Sequence, residues 1–157
     1  MTNVRMWTAA ALATAGIGAA LAAAAPASAR PAGQTISFTE HNVSDHSFNL
    51  GPGHSFAVGY VELVADKLMH GGKQIGHDGQ SYTVTRLGSG SADEVVSATE
   101  VLAHGQIDLA GLVTSTPHGP GTFQLAVTGG TGRYTSARGY ATVAPGSTPK
   151  VTIHLTS

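Results

Sequence analysis

Period-two alternation of apolar and polar residues is the feature that most constrains this chain. It recurs in eight runs, at 35–41, 55–66, 81–87, 95–104, 106–114, 122–128, 135–143 and 150–156. Successive side chains of a strand point to opposite faces, so this pattern marks half-buried β-strands. No helical period persists beyond ten residues, which argues against a helical domain. Gly, Pro, Asn and Asp separate the runs. The tight joins His104-Gly105-Gln106 and Pro120-Gly121 suit antiparallel hairpins, whereas parallel neighbours need crossovers of a dozen or more residues. The expected fold is all-β, an eight-stranded antiparallel up-and-down β-barrel. Closure removes the sheet edges and encloses room for one small ligand. A two-sheet sandwich is the alternative. Residues 42–54 read as an irregular connection long enough to cover one mouth of the barrel.

The runs begin after a segment of different character. Of the first 29 residues, 20 are apolar and 13 are alanine. A single positive charge at Arg5, an apolar stretch from Trp7 to Ala25 and the small-residue site Ala27-Ser28-Ala29 read as a bacterial Sec-type signal peptide cleaved after Ala29. The expected organisation is therefore signal peptide 1–29, a short tail 30–34 and a barrel domain 35–157, secreted and without a membrane segment after processing. The chain has no cysteine, so the exported domain must hold together by packing and strand pairing alone. Beyond the leader, seven Lys/Arg face nine Asp/Glu. That balance lacks the basic excess a phosphate backbone requires, and nucleic acid is not an expected partner.

Sorting each run by face brings ionisable residues into apolar rows. Glu40 follows Ile36 and Phe38, Glu62 lies with Phe56, Val58, Tyr60 and Val64, Arg86 follows Tyr82 and Val84, and Glu100 lies among Val96, Ala98 and Leu102. Isolated buried carboxylates are costly, so such groups pair, shift their pKa values or sit in a wet cavity. Their convergence in a lumen would make an acid/base site, with Glu62, Glu100 and Arg86 as the candidate catalytic residues. Clustering at strand ends, where charges reach water, is the competing reading. Phe38, Phe56, Tyr60, Tyr82 and Phe123 would line a ligand pocket if the barrel closes, or form an ordinary core.

Other chemistries find no support. Eight histidines are present, five of them between His41 and His77, but their spacings match no zinc pattern, and no metal site is expected. No Gly-x-Ser-x-Gly nucleophile elbow occurs. Gly129-Gly130-Thr131-Gly132 lacks the Gly-Lys-Ser/Thr ending of a phosphate loop and the helix of a dinucleotide fingerprint.

The segment 126–140, which contains Gly129-Gly130-Thr131-Gly132-Arg133-Tyr134 and Ala137-Arg138-Gly139, resembles the signature of the dirigent and allene oxide cyclase-like barrel superfamily. Gly53-His54-Ser55-Phe56 through Val61-Glu62-Leu63, Gly71-Gly72 through Gly76, Thr83-Val84-Thr85 and Gly105-Gln106-Ile107 fit the same family in order. The resemblance implies a calycin-like barrel with a lumen for a hydrophobic small molecule, assembled as a trimer or dimer. It also implies steering of a cyclisation or coupling without a metal or organic cofactor, as an isomerase or dirigent activity. Gly129, Gly130, Gly132, Arg138 and Gly139 would then be a structural turn motif, with the arginine paired to a carboxylate. His54 and Tyr82 depart from the family pattern, the first removing a candidate acid. A lipocalin-like extracellular carrier and a structural protein with a filled barrel are the non-catalytic alternatives.

Overall fold

A computed structural model describes residues 33–50 and 56–156. The leader with its cleavage site, Gly53-His54 and Ser157 lie outside the described residues. The strands are β1 (Gln34–Asn49), β2 (Tyr60–His70), β3 (Lys73–Gly88), β4 (Ser91–Leu102), β5 (Gly105–Ser115), β6 (Phe123–Gly130), β7 (Arg138–Ala144) and β8 (Lys150–Thr156). Each pairs antiparallel with the next, and β8 pairs with β1 to close the barrel. All-β, eight-stranded and up-and-down is the observed architecture, and the sandwich alternative falls.

Several boundaries differ from the sequence expectation: β2 starts at Tyr60 rather than 55, residues 56–59 forming a bend and turn, and β7 starts at Arg138 rather than 135, residues 135–137 forming a turn. Residues 42–49 are not an irregular connection but the second half of β1, paired with β2 from Asn42 opposite Asp66 to Asn49 opposite Tyr60. A register shift between Asn42 and Ser44 accommodates one extra residue there. This half is exposed on nearly every residue, so it carries no apolar row to betray it. In the same way β3 starts at Lys73 rather than near 81, because its first half is polar and glycine-rich. The Gly71-Gly72 pair forms the two-residue turn that joins it to β2.

The core lies on the inner rows of the barrel. Phe38 and Leu68 meet Val96, Ile107, Leu109, Leu125, Val127, Ala141, Val151 and Ile153 in one buried cluster. The glycine motif shapes one corner of it. Gly132 opens a short 3-10 turn, Gly132–Tyr134, whose Tyr134 ring packs into the core. Gly139 has φ +138°, and a Cβ there would collide with the His154 carbonyl on β8. Gly130 is equally crowded by the backbone of Gln106 and Tyr134, while Gly129 has open space around it. Close backbone approach therefore explains Gly130, Gly132 and Gly139 but not Gly129. Arg138 donates Nη1 to the Ala137 carbonyl at 2.7 Å, in place of the expected bond to a carboxylate.

A two-faced lumen and the candidate site

The inner rows of the barrel divide by chemistry. From β5 to β8 they are mostly aliphatic, with Ile107, Leu109, Val113, Leu125, Val127, Ala141, Val143, Val151 and Ile153 all buried. From β1 to β4 the rows interleave apolar residues with Glu40, Asp66, Asp78, Gln80 and Glu100, also buried. Strand pairing sets this convergence. Asp78 sits opposite Glu100, Gln80 opposite Ala98 and Tyr82 opposite Val96, so successive inward residues of β3 face those of β4 at the same level. On the other side Gln80 opposes Val64 and Tyr82 opposes Glu62.

Gln80 is the hub. Its Nε2 donates to Asp78 Oδ2 at 2.8 Å and lies 3.2 Å from both Glu40 Oε1 and Asp66 Oδ2, while its Oε1 accepts the Tyr82 hydroxyl at 2.5 Å. An amide nitrogen has two hydrogens, so three carboxyl groups compete for two donors. Asp78 also accepts from the Asp66 backbone N–H at 2.9 Å. Glu100 lies deepest, 1% exposed, and its Oε2 has no hydrogen-bond partner.

Such crowding of acids out of water favours their neutral forms. Burial, reinforced by Asp78 and Asp66, pushes Glu40 up to about 8 against the opposing bond from Gln80. Glu100 is pushed up to about 9 by burial and then by Asp78, Glu40 and Asp66. Asp78 rises to about 6, burial again outweighing the donors from Gln80 and Asp66. Burial also raises Asp66, Glu62 and the Tyr82 phenol. At neutral pH the lumen thus holds carboxylic acids able to donate protons beside others able to accept them.

One mouth of the barrel opens onto this array. A cavity of about 410 Å³ is lined by Glu40, Glu62, Tyr82 and Glu94 on the acidic side, and by Val113, Phe123 and Val143 opposite. Glu62 stands near the rim, half-buried and beside Asp45, whereas Glu100 lies below the cavity and does not line it. Of the expected pocket aromatics, Phe56, Tyr82 and Phe123 line this cavity. Phe38 is in the core instead, and Tyr60 packs its ring on Phe56, 5.2 Å between centroids, without reaching the cavity wall.

Arg86 does not join the acids. A register shift between Val84 and Arg86 turns it onto the outer row opposite Asp93. There it is 65% exposed, with Nε 2.6 Å from Asp93 Oδ2. The alternation from Tyr82 through Val84 held, and the bulge ended it. Sequence reasoning missed Asp66, Asp78, Gln80 and Glu94. Each continues a row already recognised, Asp66 beyond Val64, Gln80 and Asp78 before Tyr82, and Glu94 before Val96. The rows were cut short where polar residues made the runs look finished.

Burial also sorts charge across the barrel wall. Six of the nine Asp/Glu, namely Glu40, Glu62, Asp66, Asp78, Glu94 and Glu100, lie on the inner rows. The described basic residues Lys67, Lys73, Arg86, Arg133, Arg138 and Lys150 are all exposed. Among the described residues, Glu40, Asp78 and Glu100 bring carboxylate oxygens within 4.8 Å of one another, a set that could hold a hard cation.

The sequence matches the family model described as allene oxide cyclase barrel like domain over residues 34–155. No curated protein matches by sequence. Among solved structures, a pyocyanin demethylase is 29% identical over 78% of this chain and 100% of its own, with a TM-score of 0.69. A pterocarpan synthase dirigent protein is 17% identical over 80% of this chain and 94% of its own, TM-score 0.62. The Diels Alderase AbmU from Streptomyces koyangensis is 18% identical over 78% of this chain and 67% of its own, TM-score 0.61. The last two likenesses establish the fold. With the family model spanning β1 to β8 and the closed antiparallel barrel beneath it, the chain belongs to the allene oxide cyclase-like barrel family.

Proposed function

We propose that this barrel binds a hydrophobic small molecule in the mouth cavity and steers its cyclisation, coupling or a related rearrangement by proton transfer from the acidic wall. The observation that carries this reading is Glu40, which both lines the cavity and belongs to the buried Gln80 network. A carboxyl group held near 8 is suited to donate a proton at neutral pH and take it back. Glu62 at the rim orients the substrate or serves as the second acid/base group, with Tyr82 beside it. Glu100 acts on Glu40 and Asp78 through charge at close range, since it does not reach the cavity. The apolar wall of β5–β8 holds the substrate in one pose, and orientation supplies selectivity. The named activities of the structural neighbours, a demethylase, a dirigent protein and a Diels Alderase, support small-molecule chemistry in this barrel type.

The test is to incubate the purified protein with lipophilic metabolite fractions and follow protein-dependent conversion by chiral chromatography with mass detection. Conversion that is lost in Glu40→Gln and altered in stereochemistry by Glu62→Gln is the expected result. Molecules that bind and return unchanged would establish the carrier reading instead.

Two further parts of the proposal rest on other residues. Export rests on the leader Met1–Ala29, and N-terminal sequencing of protein recovered from the medium should begin at Arg30. Self-association, as a trimer or dimer, is supported by outward apolar residues such as Val95 and Leu112, opposite each other on β4 and β5 and both exposed. Light scattering of the purified protein reads the assembly directly.

A further inference from the structure

We infer that the outer wall of the barrel, where β8, β1, β2 and β3 lie side by side, is a docking surface for a linear phosphate polymer. This surface is separate from the mouth cavity, and the proposed function does not depend on it.

Three observations carry it. The first is where the lysines lie. The chain has only three, Lys67, Lys73 and Lys150, and all are exposed on this one corner. Strand register sets histidines among them. His41 on β1 stands opposite Lys67 on β2, and Lys67 stands opposite His77 on β3, while His70 faces Lys73 beside the β2–β3 turn. Lys150 on β8 pairs with Thr39, two residues before His41 on the same face of β1. Neighbouring strands lie about 4.8 Å apart, so the cations extend over about 14 Å from β8 to β3, more than a single phosphate group can cover.

The second is the missing counter-charge. Among the described residues, no Asp or Glu stands on the outward rows beside these six side chains. Like charges set directly opposite one another cost stability, and an anion from solution relieves that cost. The nearest acids, Asp66 and Asp78, feel His41 and His77 but are buried on the inner rows. Whole-chain balance hides this corner, because most acids are inside. Glu40 and Glu100, held near 8 and 9, are largely uncharged at neutral pH, so the protein is less negative than its formal charge of -1.

The third is a groove. β1 pairs with β2 only from Thr39 onward, opposite Met69, and before that residue it pairs with β8 alone. The splay leaves a space of about 330 Å³ lined by Ser37, Thr39, His41, His70 and Lys150. His70 Nδ1 lies 2.7 Å from the Ser37 carbonyl oxygen, which fixes the ring at the groove. Ammonium, imidazole and hydroxyl groups are the donors that receive a phosphate. One phosphate seats here, and its neighbours run over the row His41, Lys67, His77. Val43 is the one exposed large hydrophobic close by among the described residues, too little for insertion into a membrane. No exposed aromatic ring stands at this corner to stack on nucleic-acid bases.

The experiment is a fluorescence-anisotropy titration of the purified protein with end-labelled long-chain inorganic polyphosphate at pH about 7. Three lysines at about 0.7 each give a slope of log affinity against log salt near about -2, so binding should weaken about tenfold or more between about 50 and about 200 mM salt. Lys67→Gln, Lys73→Gln and Lys150→Gln should each reduce that slope by about 0.7 and together abolish binding. Arg133→Gln, which removes a positive charge at the 3-10 turn, should leave affinity and slope unchanged. No binding at low salt, binding indifferent to salt, or equal weakening by Arg133→Gln and Lys67→Gln overturns the inference. Attachment to vesicles of about 30% anionic phospholipid without binding to polyphosphate overturns it too, and would make the corner a membrane face.

Discussion

Tyr82 donates its hydroxyl to the Gln80 amide oxygen across 2.5 Å, and this bond fixes which end of the amide faces the acids. With Oε1 held by the phenol, Nε2 is directed at Asp78, Glu40 and Asp66. The cavity wall and the buried network are thereby one hydrogen-bonded unit, since Tyr82 lines the cavity and Gln80 organises its floor.

Removing that hydroxyl should cost stability and order. Tyr82→Phe leaves the Gln80 carbonyl buried without its donor, and a loss of about 1–3 kcal/mol is expected in urea unfolding. Gln80→Leu should cost more at high pH than at low pH. Protonated acids can bond to one another, whereas ionised ones lose their only shared donor. An equal loss at both ends of the pH range would show that Gln80 acts by packing alone.

Stability should fall as pH rises. Glu100, Glu40 and Asp78 have folded-state values of about 9, 8 and 6, above their ordinary values of 4.5, 4.5 and 3.8. Between those limits the folded chain binds more protons than the unfolded one, so the slope of unfolding free energy against pH is negative. The stabilisation is complete below the ordinary values and lost as pH passes the folded ones. Thermal midpoints should therefore decline from pH about 5 to about 9, and Glu100→Gln should flatten the decline by about one proton and raise the midpoint at the alkaline end.

The turn motif should divide under substitution. Gly139→Ala combines a positive φ with a collision at the His154 carbonyl and should destabilise the barrel by about 3 kcal/mol or prevent folding. Gly129→Ala meets open space, and a change within about 0.5 kcal/mol is expected. Chemical denaturation of the pair measures both.

These results separate what the sequence made legible from what it concealed. Alternation in strands with one apolar row, such as 95–104 and 150–156, was enough to give the barrel and its antiparallel order. Where a strand is polar on both faces, as in 42–49 and 73–80, the signal vanishes although the pairing continues. The candidate site suffered for the same reason. Glu62 and Glu100 stood in apolar rows and were visible, while Asp66, Asp78 and Gln80 sat on stretches that read as strand ends or loop. Arg86 was misplaced by a bulge, which adds one residue to a strand and reverses its facing without leaving a mark in composition.

Arg86 and Glu62 should accordingly behave differently. Arg86→Ala removes the exposed guanidinium that pairs with the covered Asp93 on the outer wall, so ligand binding should hardly change while stability falls modestly, because Asp93 keeps only Thr114 as a side-chain donor. Glu62→Gln alters the cavity rim and should weaken or redirect ligand binding. Titration of both variants with one ring-shaped probe shows which wall of the barrel the ligand uses.

The carboxyl groups themselves give the most direct measurement. With ¹³C-carboxyl-labelled glutamate, two resonances, assigned through Glu40→Gln and Glu100→Gln, should titrate near 8 and 9, and the Glu40 signal should move when a ligand fills the mouth. Titration of every glutamate near its ordinary value of 4.5, with no response to ligand, would contradict an acidic lumen held protonated for chemistry.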